Sequence, residues 1–109
     1  MRAYQLPKGG SGIEALTKTE RPDPKPGHRQ VLVKVAACSL NFRDLGIVRG
    51  TYRVPVRDNI IPLSDGAGEV IEVGTGVKRV KVGDKVAGCF FQRWRAGEAS
   101  PDVHASALG

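Results

Sequence analysis

A short stretch that follows an apolar strand collects most of the side chains that could do chemistry. The segment ACSLNFRDLGIVRGTY, residues 37–52, turns polar at Asn41 and continues with Arg43 and Asp44. An asparagine followed three residues later by an acid predicts a helix start, because Asn can cap a first-turn amide and the acid suits the helix dipole. Interior and trailing glycines limit that helix to two turns. Arg43 is interpreted as a solvated charge or a partner of Asp65.

The glycine-rich segment VGTGVKRVKVGDKV, residues 73–86, is the second candidate site, because such loops can bind phosphate. It has neither a Walker pattern nor a Gly-x-Gly-x-x-Gly run between a strand and a helix. The residues after Gly76 alternate as a strand does, so no helix N-terminus would face an anion. The glycines are therefore predicted to form turns, and the chain is predicted to contain no dinucleotide-binding site.

The cysteines and histidines do not have the spacing of a metal site. Cys38 and Cys89 lie in the apolar runs VAACSL and VAGCFF, with no CxxC or CxxH pattern. Buried, reduced thiols are the expected state. His28 lies among loop charges and His104 in the C-terminal region, and both are predicted to be chemically inert.

The elements that must position these residues are mostly strands. The clearest is QVLVKVAACSL, residues 30–40, and two others are expected in SDGAGEVIEVGTGV and in the segment after the KVGDKV turn. MRAYQL and GIEALTKTERP are predicted to form two short strands near the start of the chain. The fold class is therefore mainly β, a small, partly open antiparallel barrel or curled sheet with one short helix. Residues 1–91 form the predicted domain, and residues 92–109 a loop or tail.

The overall composition excludes several function classes. The net charge is +6, from 17 basic and 11 acidic residues, but the basic residues alternate with apolar and acidic ones. Without a basic run or a stacking platform, we expect no nucleic-acid partner. No signal-peptide core and no apolar run near the ~20 residues of a membrane span occur, so a cytoplasmic protein without membrane association is expected.

Several segments together resemble a known family. The succession VLVKVAACSLNFRD, GTY and IPLSDGAGEVIEVGTGVKRVKVGDKV resembles the N-terminal, GroES-like half of the medium-chain dehydrogenase/reductase superfamily. The resemblance covers nearly the whole chain, from MRAYQL through GDKVAG. In that superfamily the barrel-like half supplies the catalytic pocket, and a Rossmann half binds the nicotinamide cofactor. The resemblance implies a GroES-like, partly open barrel that is incomplete at its C-terminal side.

The resemblance also argues against a metal. In the zinc-dependent alcohol dehydrogenases, a metal-binding cysteine matches Asn41, and the Gly-His-Glu motif falls on Ser64 and Asp65. An Asn amide and a Ser hydroxyl are poor zinc donors, and Asp65 alone cannot form a site. The four closely spaced cysteines of the structural-zinc lobe are missing as well. No metal site is therefore expected.

Asparagine at this junction, with a tyrosine downstream, resembles the zinc-free quinone-oxidoreductase-like branch. By this resemblance Asn41 is a catalytic and cofactor-binding amide that can orient a carboxamide. Tyr52 would be a pocket wall or a hydrogen-bond donor to a carbonyl that gains negative charge, and Asp65 is the third predicted catalytic residue. Simpler roles remain open, because Asn41 can serve only as a helix cap and Tyr52 only as packing. The branch often has an aromatic residue where Gly46 stands, which would widen the pocket there.

The implied function is that of an NAD(P)H-dependent, zinc-independent oxidoreductase that reduces small carbonyl or quinone-type molecules. Hydride transfer needs the nicotinamide held about 3–3.5 Å from the reacting carbon, so these 109 residues alone are predicted to show no turnover. Absent closing strands would leave a sheet edge and apolar surface open, which favours a homo-oligomer through that edge. The alternative function is a non-catalytic, small basic β-barrel that binds a protein or nucleic-acid partner.

Overall fold

The computed structural model of the chain describes residues 1–54 and 56–109, which form two antiparallel sheets. In the smaller sheet, β1 (Arg2–Gln5) pairs with β2 (Thr17–Glu20). The larger sheet has the order β3–β4–β5, with strands at Val31–Ser39, Asp65–Val73 and Lys85–Ala87. Helix α1 spans Phe42–Val48, and the four-residue α2 spans Pro101–His104. The described strands do not close into a barrel, so the mainly β, partly open antiparallel fold is confirmed.

The pairing of β3 with β4 organises the larger sheet. The register runs from Val31 opposite Val73 to Ser39 opposite Asp65, with two irregularities along β3. The small residues at the start of β4 allow β3 and β4 to approach each other closely. A Cβ atom on Gly68 would lie 2.2 Å from the main-chain oxygen of Lys34, so only glycine fits there.

The buried core is small and includes one face of α1. Ile47 is 1% exposed and Val48 is 5% exposed, and both lie on the same helix as the buried Asp44. Val70 of β4 is fully buried. The three-to-four-residue spacing of Asp44, Ile47 and Val48 puts them on one face of the helix. That spacing is why a helix of two turns can be anchored in the fold.

Much apolar surface remains in contact with solvent. Leu40 is 85% exposed and Phe42 is 86% exposed, on either side of the junction at Asn41. Val35 and Ile71 in the larger sheet are also exposed. Within residues 1–54 and 56–109, β3 pairs with β4 only, so no described strand pairs with its other edge. Among the described residues, no helix combines the length and apolar character needed to cross a bilayer.

Two predictions about local structure were wrong. Cys38 and Cys89 are free thiols as expected, but both are exposed and not buried. Cys38 is exposed because it lies in the second part of β3: residues 31–33 are half-buried, whereas residues 34–39 are exposed. The segment predicted to be one strand from residue 12 instead begins with a 3-10 turn at Ile13–Ala15. The N–H groups of Ala15 and Leu16 are used in that turn, so pairing starts later.

The C-terminal region is also more ordered than an irregular tail. It contains α2, which Ser100 caps by accepting a hydrogen bond from the N–H of Val103. An isolated bridge then pairs Phe91 with Ala107. Trp94 is 47% exposed, packs edge to face against Phe91 and donates its indole N–H to the main-chain oxygen of Gly97 at 3.0 Å.

Candidate functional site

The junction between β3 and α1 lies beside the start of β4. Because Ser39 is paired with Asp65 in the ladder, Asn41 reaches the same carboxylate two residues later. The Asn41 Nδ2 atom donates to Asp65 Oδ2 at 2.8 Å, and the Ser39 hydroxyl approaches the same oxygen at 3.4 Å. The Asn41–Asp65 pair is partly buried, so its orientation is held by a charge-assisted hydrogen bond.

Asn41 is also the residue that starts helix α1. Its extended backbone, with φ −120° and ψ 155°, is that of an N-cap, and it forms a capping-box arrangement with Asp44. The Asp44 carboxylate accepts from the Asn41 main-chain N–H at 2.7 Å. The second carboxylate oxygen of Asp44 is buried without a hydrogen-bond partner in the described part of the chain. The predicted helix start is confirmed, and Asn41 additionally binds Asp65.

The donor set at this junction does not fit a zinc ion. Ser64 is 2% exposed, and the Asp65 carboxylate already accepts the Asn41 amide. Within residues 1–54 and 56–109 there is no group of three or more His, Cys, Asp or Glu side chains that could hold a metal. Amide and hydroxyl oxygens are weak ligands for zinc compared with thiolate or imidazole. We derive no chemical step that involves a metal.

Tyr52 is positioned by the end of α1 and not by Asn41. The main-chain N–H groups of Thr51 and Tyr52 both donate to the carbonyl of Gly46, at 2.9 and 3.1 Å. The Tyr52 ring lies against Gly46, where an added Cβ would be 3.6 Å from the ring. The Tyr52 ring therefore occupies the space beside Gly46 in which the pocket was expected to be wider.

Arg43 binds Tyr52 and is partly buried, so both of its interpretations, a solvated charge and a partner of Asp65, were wrong. Its Nε atom donates to the Tyr52 hydroxyl at 3.1 Å. Its terminal nitrogens donate to the main-chain oxygens of Leu108 and Gly109, at 3.2 and 2.9 Å. Sequence reasoning missed this contact, because no local spacing signals an interaction with residues 65 and 66 positions away.

Two of the predicted site residues, Asn41 and Tyr52, line different hollows, and Asp65 lines neither of them. The Asn41 hollow, about 730 Å³, is mainly apolar and includes Asn41, Asp44, Leu40, Phe42, Leu45 and Leu63. The Tyr52 hollow, about 600 Å³, includes Arg43, Tyr52, Ile60, Phe90, Phe91 and His104. The structure thus brings Asn41 together with Asp65, while Tyr52 and Arg43 form a second polar pair in a different hollow.

The glycine-rich segment forms turns, as predicted. Gly76 and Gly83 have φ values of 74° and 93°, a region that glycine adopts freely. Asp84 Oδ2 accepts from the Lys81 main-chain N–H at 2.9 Å, which closes the second turn. The Lys81 ammonium, which also donates to Asp84, lowers the pKa of that carboxyl, and Asp84 in turn raises the pKa of Lys81.

Charge pairing across the sheet perturbs one more group. Glu69 of β4 lies opposite Lys85 of β5 in the register. The Lys85 ammonium donates to the Glu69 carboxylate and holds its pKa below the usual value. Both side chains are remote from the two hollows in sequence and line neither of them. These shifts therefore describe the solvated face of the sheet and not the candidate site.

Comparison with known proteins gives consistent matches. The model of the alcohol dehydrogenase GroES-like domain matches residues 27–106. A zinc-type alcohol dehydrogenase-like protein of Schizosaccharomyces pombe is 40% identical over 102 residues, covering 91% of this chain and 29% of that protein. The chloroplastic quinone-oxidoreductase QR1 of Triphysaria versicolor is 43% identical over 88 residues, covering 79% of this chain and 27% of that protein.

The solved structures agree with these sequence matches. Escherichia coli quinone oxidoreductase complexed with NADPH superimposes with a TM-score of 0.71 at 31% identity, covering 80% of this chain and 26% of that one. The chain thus spans only 29% and 27% of the length of the two curated relatives.

Proposed function

This chain belongs to the alcohol dehydrogenase GroES-like domain family of the medium-chain dehydrogenase/reductase superfamily, and we propose that it supplies the substrate-side residues of an oxidoreductase. The reaction we propose is the zinc-independent reduction of a small carbonyl or quinone-type molecule with NAD(P)H as the hydride source. Relatives named as quinone oxidoreductases, one of them solved with NADPH, support this class.

The observation that carries the proposal is the Asn41–Asp65 hydrogen bond of 2.8 Å. Asp65 accepts from Nδ2 and thereby fixes the plane of the Asn41 amide at the end of β3. A fixed amide can recognise another amide, because it offers a donor and an acceptor without ionising. We therefore propose that Asn41 lies beside the carboxamide of the nicotinamide ring, with Asp65 holding it in place.

Tyr52 is the residue that we propose to contact the substrate. Because hydride transfer needs the reacting atoms about 3–3.5 Å apart, we propose that the nicotinamide and the substrate meet where the Asn41 hollow and the Tyr52 hollow come closest. Its hydroxyl lies in a hollow whose walls include Ile60, Phe90 and Phe91, which suit a planar apolar molecule. A tyrosine hydroxyl donates to a carbonyl oxygen and stabilises the negative charge that develops there during reduction. The substrate class follows from this combination of one polar donor with apolar and aromatic walls.

The described residues do not fit the remainder of a dinucleotide. The pairing of all described strands is antiparallel, and neither glycine turn leads into a helix that could face a pyrophosphate. We therefore derive no step that passes through the cofactor, and we propose that its phosphates bind outside this chain. The 109 residues by themselves should not oxidise NADPH in the presence of a ketone.

An NADPH titration of the chain, monitored by NMR of the side-chain amide groups, tests whether the nicotinamide contacts Asn41 while the phosphates bind outside this chain. We expect weak binding and a shift of the Asn41 NH2 resonances. Asn59, the other asparagine, serves as an internal control, because its side chain accepts from Gln5 on another part of the surface. Tight NADPH binding would contradict the proposal that the phosphates bind outside this chain. Unshifted Asn41 resonances would contradict the proposal that Asn41 contacts the nicotinamide.

A matched pair of variants sharpens the experiment. Asn41→Asp removes the side-chain NH2 group and places a carboxylate against Asp65, so repulsion should turn the side chain away. The main-chain amide signal of residue 41, which both variants retain, should then no longer shift with NADPH. Asn59→Asp makes the same chemical change where the acceptor oxygen for Gln5 is retained. We expect the second variant to behave as the unmodified chain. Equal loss in both variants would show that the effect is general and not specific to the site.

A further inference from the structure

Arg43 is held in the fold by hydrogen bonds to three oxygen atoms. Besides Tyr52, it donates to the carbonyls of Leu108 and Gly109, so the end of the described chain is tied to helix α1. The guanidinium is partly buried by these contacts. The planar Arg43 guanidinium has little rotational freedom, because each of its hydrogen bonds constrains it in a different direction.

The same guanidinium lies over two aromatic rings. Its central carbon lies 4.8 Å from the centroid of the Tyr52 ring and 4.9 Å from that of Phe90. Both distances are within the range of a cation–π interaction. Arg43 therefore fixes Tyr52 twice, through the face of its ring and through its hydroxyl oxygen.

The direction of the hydrogen bond determines what Tyr52 can do. Arginine has only donors, so the Tyr52 oxygen must accept from Arg43 Nε. The hydroxyl proton is then left for another partner, since the described part of the chain contains no hydrogen bond that the Tyr52 hydroxyl donates. Accepting from a cation also polarises the O–H bond and makes it a stronger donor.

We propose that Arg43 is a positioning residue that presents the Tyr52 hydroxyl proton to a carbonyl oxygen in the Tyr52 hollow. The ligand is an aryl carbonyl compound, whose ring packs against the aromatic wall that Phe90 and Phe91 form by their edge-to-face contact. The substrate class rests on the proposed function, whereas the coupling of Arg43 to Tyr52 does not. Arg43 acts through Tyr52 and does not itself touch the ligand.

The first test observes Tyr52 directly. The chain has two tyrosines, so 13C labelling at tyrosine Cζ gives two NMR signals, and the 61% exposed Tyr4 is the reference. Arg43→Lys keeps the charge but cannot stack as a plane or donate from Nε, so the Tyr52 signal should move towards that of Tyr4. Arg49→Lys, at the end of the same helix, makes the same change away from Tyr52 and should leave both signals in place. An unchanged Tyr52 signal in Arg43→Lys would overturn the proposal.

The second test measures the affinity for acetophenone as the aryl carbonyl probe. Losing one well-oriented hydrogen bond should weaken binding about 5- to 10-fold in Arg43→Lys and in Tyr52→Phe. Because Arg43 acts through the hydroxyl, adding Arg43→Lys to Tyr52→Phe should change the affinity by less than about twofold. An equal further loss in the double variant would show that Arg43 contacts the ligand itself, which would refute the positioning role.

Failure of the proposed function and failure of this inference give different results. If the unmodified chain does not bind acetophenone, the substrate class is wrong, and the Tyr52 signal alone decides whether Arg43 positions the ring. If acetophenone binds and Arg43→Lys changes neither the signal nor the affinity, the substrate class stands and the positioning role is refuted. Far-UV circular dichroism shows for each variant that the fold is retained before either measurement is interpreted.

Discussion

Gly68 provides the most direct test of the sheet that holds the candidate site. It lies in β4 opposite β3, and a Cβ atom there would be 2.2 Å from the main-chain oxygen of Lys34. The same atom would lie 2.8 Å from the Lys34 carbonyl carbon and 2.9 Å from the Val35 Cα atom. All three contacts are with main chain, so no side-chain rotation in Gly68→Ala can relieve them.

The size of the clash gives the expected magnitude. Close carbon–oxygen contacts between strands are about 3.3 Å or longer, so the two strands must separate locally by about 1 Å. Overpacking that moves main chain falls at the upper end of the usual 1–3 kcal/mol cost, and we expect about 3 kcal/mol. For a chain of this length each kcal/mol lowers the melting temperature by about 4–8 °C, so the fall should be about 12–24 °C.

Thermal and urea unfolding, followed by far-UV circular dichroism, measure this loss. Gly66→Ala is the matched control in the same strand, because its new Cβ would have its nearest contact at 3.8 Å, with the Cys38 sulfur. We expect Gly66→Ala to change the melting temperature by only a few degrees. If the two variants were equally stable, the close approach of β3 and β4 at Gly68 would be wrong, and the register that brings Asp65 to Asn41 would be in doubt.

Three further outcomes follow from the same structure. Asp65→Ala should lower the free energy of unfolding by about 1–2 kcal/mol, but by much less when Asn41 is already alanine. Urea unfolding of the unmodified chain, the two single variants and the double variant measures this difference. If the two losses in free energy simply add, the Asn41–Asp65 hydrogen bond is contradicted. The pKa of Asp84 is lowered from 3.8, so its contribution to stability is present above that value and is lost as the pH falls through the lower, folded-state pKa. Unfolding titrations should therefore show a shallower loss of stability below pH 3.8 in Asp84→Asn than in the unmodified chain, and identical pH profiles would count against the pairing. Cys38 and Cys89 should both react with an aromatic disulfide reagent in the native chain, and a thiol that reacts only after unfolding would contradict its exposure.

The elements that sequence alone predicted share one physical property, which is that their signals are local. The alternation of valines predicts β3, and the Asn41-to-Asp44 spacing predicts the start of α1. The glycines of residues 73–86 predict turns because they tolerate positive φ. Each of these signals depends on neighbours within four residues along the chain, so it does not need the tertiary structure to be readable.

The site was only partly predictable for the opposite reason. The family pattern named Asn41, Tyr52 and Asp65, but residue types do not say which of them meet. The Asn41–Asp65 bond depends on the β3–β4 register, which is shifted twice by irregularities that leave no composition signal. Arg43 was assigned to solvent or to Asp65, and its actual partner Tyr52 follows from the course of the chain after α1.

Sequence by itself determined the family, the mainly β class and the residue types available at the end of β3, because periodicity, caps and turn glycines act over a few residues. Tertiary structure alone decided which polar groups pair, which thiols are exposed and that Asn41 and Tyr52 line different hollows. The polar pairs among those outcomes join residues 9 to 66 positions apart in the chain. Such contacts are set by strand register and by the packing of a loop on a helix, and neither is encoded in any short segment.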